Sequence, residues 1–355
     1  MESQRFLEKN LTNNSHKNSE MWKLYRFADK AEEVNWDARY KSNEKFLEFI
    51  IPYLIDYTEE SIKKVTFEEN NLRAVVGLSG GLDSCVSAFL TAETMRLGIN
   101  RGSSKSARLA LLSFDAMSSE DFTYSKRFEK FLKEKFRNIE IISFEKDLRH
   151  LIKNVHNLTD DMIRETNAVK IYPGELASRM INTLTLEYAD KTGHCCIDST
   201  NGTEIILGEI VLGSGFEYSP LGDFYKSQVF DIAESLGIPK YIINRNPINS
   251  TFGIDKINSY FGEIPKNFSA RDVYAILDPV LFYIFERKMK PITISKKLGH
   301  SKKFVEKVYQ RIKSQDHRRK PPYFALNDRK INFSRIIKDK SNKYFKEYLE
   351  ESFSC

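Results

Sequence analysis

The stretch GLSGGLDS, residues 77–84, limits the possible folds more than any other part of the chain. It follows RAVV, part of a short apolar, β-branched run that ends at Leu78. It precedes CVSAFLTAETMRLG, in which Val86, Phe89, Leu90 and Met95 recur at helical spacing. A strand therefore feeds a helix through Ser79-Gly80-Gly81. Two glycines permit a tight backbone path, and the open amides at the start of a helix favour an anion such as phosphate. A GxxxxGK[ST] loop would need Lys and Ser/Thr where Asp83 and Ser84 stand, and the GxGxxG spacing is also missing. An acid among phosphate-directed amides repels the ligand unless a divalent cation lies between them, so Asp83 points to Mg²⁺ bridging to a pyrophosphate. The simpler alternative is a glycine-rich turn in which Asp83 serves only the helix dipole.

Beyond this loop, strand-like and helix-like segments alternate. RAVVGL (73–78), ARLALLSF (107–114), IEIISF (139–144) and CCIDS (195–199) read as strands. Helices are expected after Asp83, near 120–136, near 145–156 and over 174–191. Strands buried on both faces and alternating with helices predict an α/β fold with a doubly wound parallel sheet and helical N- and C-terminal extensions. The loop then lies at a carboxyl strand end, where such sheets bind ligands. Along the chain this gives a polar tail (1–20), a helical lead-in (21–70) in which Pro52 is expected to break or kink the helix, the α/β domain (71–325) and a helical tail (326–355).

Composition narrows the class without choosing the partner. A 41% hydrophobic content over 355 residues can bury a sizeable core, and the net charge of +6 is compatible with anionic small substrates. The four cysteines, Cys85, Cys195, Cys196 and Cys355, form no CxxC pair, which argues against a disulfide scaffold or a zinc site. No signal-type segment opens the chain and no run reaches about 18 apolar residues, so a cytoplasmic protein without a membrane partner is expected. ISKKLGHSKKFVEKVYQRI (294–312) resembles a helix-turn-helix with Lys302, Lys303, Lys307 and Arg311 on its second helix. It reads either as a nucleic-acid contact or as an ordinary solvated helical corner.

SGGLDS together with several later segments resembles the N-type ATP pyrophosphatases, the PP-loop superfamily, whose sheet has the adenine nucleotide alpha hydrolase-like arrangement. The later segments are most similar to NAD synthetase of the ammonia-dependent type, over roughly residues 70–325. LASRM supplies Arg179 of an AR-x-R-type element, with Ala177 at its first arginine. DSTNGTE (198–204) keeps Asn201 and Glu204 of GT-x-N-x-x-E, with Asp198-Ser199 for Gly-Thr. PLGDFYKSQ (220–228) supplies Lys226 and Gln228 of P-L-x-x-L-x-K-x-Q. Arg245 replaces the lysine of K-x-P, with Pro247 retained, and HRRKPP (317–322) answers H-K-R-x-x-P.

The resemblance implies ATP and Mg²⁺ as cofactors, with Asp83 and Glu204 as metal ligands and Asp83 and Lys226 as catalytic residues. It places Leu78, Ser79, Gly80, Gly81, Ser84 and Ser199 around ATP beside Asp83 and Lys226. Arg179, His317, Arg318 and Arg319 would meet the acidic part of a second substrate. The roles make physical sense: two carboxylates can hold a hard cation, and a lysine can offset the charge that develops as pyrophosphate leaves. Each residue also has a bland reading. Lys226 could be a solvated surface charge, Glu204 a helix N-terminal acid, Arg179 the i+4 partner of Glu175, and His317-Arg318-Arg319 a basic loop.

The departures bear on substrate more than on chemistry. GEIVLGSGFEYSP stands where the family has T-K-Y-G-D, with Leu212 near the lysine position and Glu217 close to the aspartate. PINSTF replaces P-T-A-D-L. The resemblance thus implies an amide-forming ligase that adenylates a small carboxylate, deamido-NAD or a related acid, and transfers ammonia to it. About 70 residues before the loop leave no room for a glutaminase, so ammonia is expected free or from a separate glutaminase. A homodimer is implied by the resemblance alone. Two other readings stay open: a PP-loop enzyme that thiolates or aminates tRNA, which Cys195, Cys196 and a basic tail favour although paired cysteines at separated positions are lacking, and an inactive nucleotide-binding regulator.

Overall fold

A computed structural model of the chain describes residues 44–116, 119–163, 173–210, 216–245, 262 and 269–319. The alternation read from the sequence builds a parallel sheet. Its strands are β1 (Asn71–Gly77), β2 (Ser106–Asp115), β3 (Glu140–Asp147) and β4 (Cys195–Ile197), in the order β3-β2-β1-β4. Every strand pair is parallel, with Val75 opposite Ala110 on one side and Cys196 on the other.

The side chains explain why both faces are covered. Ala74 and Val76 of β1 join the main core with Leu109 and Leu111 of β2, while Val75, Ala110 and Leu112 point the other way. On the main face lie three helices, α1 (Glu44–Thr66), α2 (Leu82–Asn100) and α3 (Ser119–Lys135). Helix α4 (Arg149–Ile163) follows β3, and α5 (Pro173–Thr192) covers the opposite face through Ala189 and Leu186. Helix α2 is buried on nearly all sides, which is why its sequence shows only a weak stripe.

The chain passes from β1 through α2 and β2 to β3 on one side of the sheet. It returns to add β4 on the other side of β1. The crevice at the carboxyl ends of β1 and β4 is therefore the point where winding reverses, the ligand position in open α/β sheets. Loop 79–81 sits there.

Two expectations need correction. Helix α1 is not broken at Pro52 but continues from Glu44 to Thr66, because Ile50, Ile51, Leu54 and Ile55 lock its flanks into the main core. That packing outweighs the roughly 3 kcal/mol a helical proline costs. Residues 145–147 extend β3 rather than open α4, since Glu145, Lys146 and Asp147 stay in register with Ser113, Phe114 and Asp115.

After β4 the chain forms α6 (Gly202–Leu207), α7 (Lys226–Leu236), α8 (Lys240–Ile243), α9 (Ala270–Phe285), α10 (Pro291–Leu298) and α11 (Lys302–Ser314). Helices α10 and α11 meet at Gly299, whose φ of 70° ends one helix, and Ser301 caps the next by accepting from the Phe304 amide. Phe304, Val305, Val308 and Ile312 bury one face of this corner in the main core. Residues to Asp316 form one compact unit, and a second begins at His317, described only through the end of the 3-10 turn Asp316–Arg319. Among the described residues no helix is long and apolar enough to cross a membrane.

Candidate active site

Loop 79–81 is shaped by contacts on both sides. Gly80 has φ of +77°, and a Cβ there would lie 2.5 Å from the Asp121 carbonyl oxygen and 2.7 Å from the Ser125 nitrogen. The loop is thus wedged against the first turns of α3, which only glycine allows. Within it, the Ser79 and Ser84 hydroxyls bond each other at 2.9 Å, the Gly81 N–H donates to Ser79 Oγ at 3.3 Å, and Ser84 Oγ donates to the Gly81 carbonyl at 3.1 Å. Gly81 caps α2 with no side chain, so the helix offers its first amides to a ligand.

Asp83 projects from the first turn of α2 into a cavity of about 330 Å³. Glu204 from α6 and Lys226 from α7 enter the same cavity, whose charged lining also includes Asp121, Asp198 and Arg245. The Lys226 ammonium pairs with Asp83 Oδ2, and Asn201 Nδ2 donates to Asp83 Oδ1 at 3.3 Å. Asn201 also opens α6 through a capping box: its side chain accepts from the Glu204 amide at 3.1 Å, and Glu204 Oε2 accepts from the Asn201 amide at 3.1 Å. The bland reading of Glu204 as a capping acid therefore holds for one of its oxygens.

Burial first, and the Asp83 charge second, push the Glu204 carboxyl up to about 8, with Lys226 acting in the opposite direction. A buried carboxylate beside another is a donor pair that a divalent cation relieves. Among the described residues no group of three or more His, Cys, Asp or Glu side chains gathers as a metal cage. The pair thus fits Mg²⁺, which takes one or two carboxylates and fills its remaining positions with phosphate and water oxygens.

Around the charges stand Tyr274, whose ring lies 5.9 Å from Lys226 Nζ, and Arg245, whose guanidinium stacks on Tyr124 at 4.3 Å. Arg245 donates to the Gly80 carbonyl at 3.0 Å and pairs with Asp121. The lining also includes Phe114, Ala116, Ala177, Ile181 and Phe216, with Ser178, Asn182 and Thr185 as polar groups from α5. Ala177 stands at the position of the first family arginine, so no charge enters the cavity there.

Leu78, Ser79, Gly81, Asp83, Ser84, Ser199, Glu204 and Lys226 all line this cavity, and Gly80 belongs to the loop that forms its floor. Arg179 does not line it; it lies 42% exposed on α5 and pairs with Glu175 at 2.9 Å. His317, Arg318 and Arg319 belong to the second unit, and the side chains of His317 and Arg319 fall outside the described residues, as do Leu212, Pro247 and the PINSTF stretch. Glu217 accepts from the Cys196 amide at 2.7 Å, which ties it to β4. Cys195 and Cys196 are fully buried in the sheet, and burial pushes the Cys195 thiol up to about 12 and Cys196 higher.

Tyr274 and Asp121 were not legible as site residues, because each lies in a segment with no loop signature. Arg245 was visible only as a replacement for a family lysine. Asp278 left a signal: it is a lone acid inside the apolar run VYAILDPVLFYIF, where an unpaired carboxylate would be costly.

A family-level sequence model described as NAD synthase matches residues 53–322. The chain is 25% identical over 285 residues to the NH(3)-dependent NAD(+) synthetase of Sulfurisphaera tokodaii, covering 78% of this chain and 90% of that protein. It is 27% identical over 278 residues to the NH(3)-dependent NAD(+) synthetase of Thermococcus sibiricus, covering 76% and 97%. Among solved structures, NMN synthetase from Francisella tularensis matches with a TM-score of 0.53 at 18% identity, covering 78% of this chain and 98% of that one. The NH3-dependent NAD synthetase of Campylobacter jejuni matches with a TM-score of 0.52 at 17% identity, covering 78% and 98%. These two likenesses establish a shared fold.

Proposed function

Because the chain belongs to the NAD synthase family, whose match spans residues 53–322, we propose that it is an ATP-dependent ligase that converts a small carboxylic acid into its amide with ammonia. The observation that carries this reading is the meeting of Asp83, Glu204 and Lys226 beside the open amides of loop 79–81. That arrangement suits the triphosphate of ATP.

In the first step a substrate carboxylate oxygen attacks the α-phosphorus, the bond to the β-phosphate breaks, and pyrophosphate leaves. In the second, ammonia attacks the acyl carbon, the bond to AMP breaks, and the nitrogen loses a proton to solvent. Activation is required because a carboxylate is a poor electrophile. Asp83 and Glu204 would hold Mg²⁺, which when bound offsets phosphate charge. Lys226 would leave Asp83 for the phosphates and stabilise the departing pyrophosphate. Loop amides orient the triphosphate, and no side-chain nucleophile is required.

Deamido-NAD is the first acid to test, since the curated relatives carry the name NAD(+) synthetase. The buried thiols at Cys195 and Cys196 weigh against a thiolation route, which needs an accessible thiolate.

The test is release of pyrophosphate and AMP from Mg-ATP plus ammonium, with deamido-NAD and other carboxylic acids offered separately. Asp83→Ala serves as the control. Release with deamido-NAD that depends on Asp83 and yields NAD is the expected result. Release with a different acid alone would retain the ligase chemistry and change the substrate. If no acid elicits Asp83-dependent AMP, the ligase reading fails.

A further inference from the structure

Glu204 and Lys226 reach Asp83 from two separate helices, α6 and α7, so their meeting depends on how those helices are fixed to each other. Asp278 supplies the fixture. It lies one turn beyond Tyr274 on α9, with none of its surface exposed, and it does not line the cavity. Both of its oxygens are engaged by the first turns of the two helices. Thr203 Oγ1 donates to Asp278 Oδ1 at 2.7 Å, and the Ser227 N–H donates to Asp278 Oδ2 at 2.8 Å. Thr203 Oγ1 in turn accepts from the Lys226 N–H at 2.9 Å. The relay ties the backbone beside Glu204 to the backbone of Lys226.

Such an acid is expensive in this position, since a buried carboxylate carries a desolvation cost of several kcal/mol that hydrogen bonds only partly offset. An apolar residue would fill the helix interface without that cost. What the carboxylate adds is direction: it fixes two helix starts at Thr203 and Ser227, each adjacent in the chain to one of the site's charges, Glu204 and Lys226.

We propose that Asp278 is a positioning residue for the phosphate end of the nucleotide, locking the first turns of α6 and α7 so that Glu204 and Lys226 converge on Asp83. The proposal rests on the ATP reading above. It predicts a selective defect. Groups that act on the β- and γ-phosphates matter for ATP and not for AMP, whereas an ordinary buried cap would change stability and treat both nucleotides alike.

The experiment is calorimetric titration of the wild type, Asp278→Asn, Thr203→Val and Thr203→Ser with Mg-ATP and with AMP, after a thermal scan shows each to be folded. Asp278→Asn and Thr203→Val should weaken Mg-ATP binding by about tenfold, the scale of one lost charge-assisted contact, and leave AMP within about twofold. Thr203→Ser keeps the hydroxyl and should bind Mg-ATP like the wild type. Should Asp278→Asn not fold, the valine and serine pair at Thr203 still decides the question. Equal weakening of both nucleotides, unchanged ATP affinity in folded variants, or a loss that serine does not restore would overturn the proposal. A wild type that binds neither nucleotide would remove the ATP reading itself, and the positioning role with it.

Discussion

Lys226 and Arg179 carry the same charge and both lie on helices in the matched region, yet their surroundings give them different work. The Lys226 side chain is 11% exposed, enclosed by the cavity and paired with Asp83, while Arg179 is 42% exposed and satisfied by Glu175 one turn earlier. Lys226→Met is therefore expected to slow pyrophosphate release by about 10²–10³-fold, the range seen when one preorganised charge-stabilising donor is lost. Arg179→Ala should stay within about twofold, because an exposed i,i+4 pair contributes only a few tenths of a kcal/mol. Steady-state rates with whichever acid supports Asp83-dependent pyrophosphate release check both, and a large loss at Arg179 would put it in the acid site. Asp83 was legible in the loop itself, and Glu204 and Lys226 through the resemblance of DSTNGTE and PLGDFYKSQ to motifs of the family in the same order. Arg179 followed the same motif logic, but its local pairing with Glu175 was written in the sequence as well, and that pairing is what the fold keeps. Arg245 and Tyr274 act through contacts distant in the chain, Arg245 with Gly80, 165 residues earlier, and Tyr274 with Lys226 on another helix, and no local pattern encodes those.

At the scale of elements, the decisive joint is the one between loop 79–81 and the start of α3. Gly80→Ala must place a methyl carbon against backbone atoms of Asp121 and Ser125 while holding φ of +77°. Backbone cannot yield as a flexible side chain can, so a cost of about 2–5 kcal/mol is expected from the combined clash and left-handed conformation. Gly237, the C-cap of α7, also has positive φ, of +73°, but meets nothing within 4 Å, so Gly237→Ala should cost only about 1–2 kcal/mol. Denaturant unfolding of the two variants separates these effects, and equal losses would show that the loop is not wedged. The strand-to-helix alternation was legible because β1, β2 and β4 are apolar runs bounded by polar turns and β3 carries the apolar IISF segment. Two features were not. The passage of α1 through Pro52 depends on core packing around it, and the last three residues of β3 are charged, so only the ladder with β2 keeps them extended.

At the scale of the whole molecule, Asp278 makes the stability of the fold depend on pH in a direction opposite to that of a salt-bridged surface acid. Burial raises its carboxyl from an ordinary value of 3.8 to about 6; the Ser227 amide, the Thr203 hydroxyl and the Lys226 charge oppose the shift. The other titratable groups facing it, Tyr225 and Tyr274, are themselves held neutral well into the alkaline range by burial. Between these two values the folded chain holds a proton that the unfolded chain has released. Stability must therefore fall as pH rises through the window from about 4 to about 6, by about 3 kcal/mol in total, with no further change above it. Glu204 titrates higher and is present in both proteins, so comparing the wild type with Asp278→Asn isolates the Asp278 contribution. Urea unfolding at several pH values from 4 to 7 should show the wild type losing about that much relative to the asparagine variant across the window. Parallel curves would mean that Asp278 stays ionised in the fold throughout, held by its donors strongly enough to cancel the effect of burial. In that case the relay to Thr203 and Ser227 would be tighter than burial alone allows.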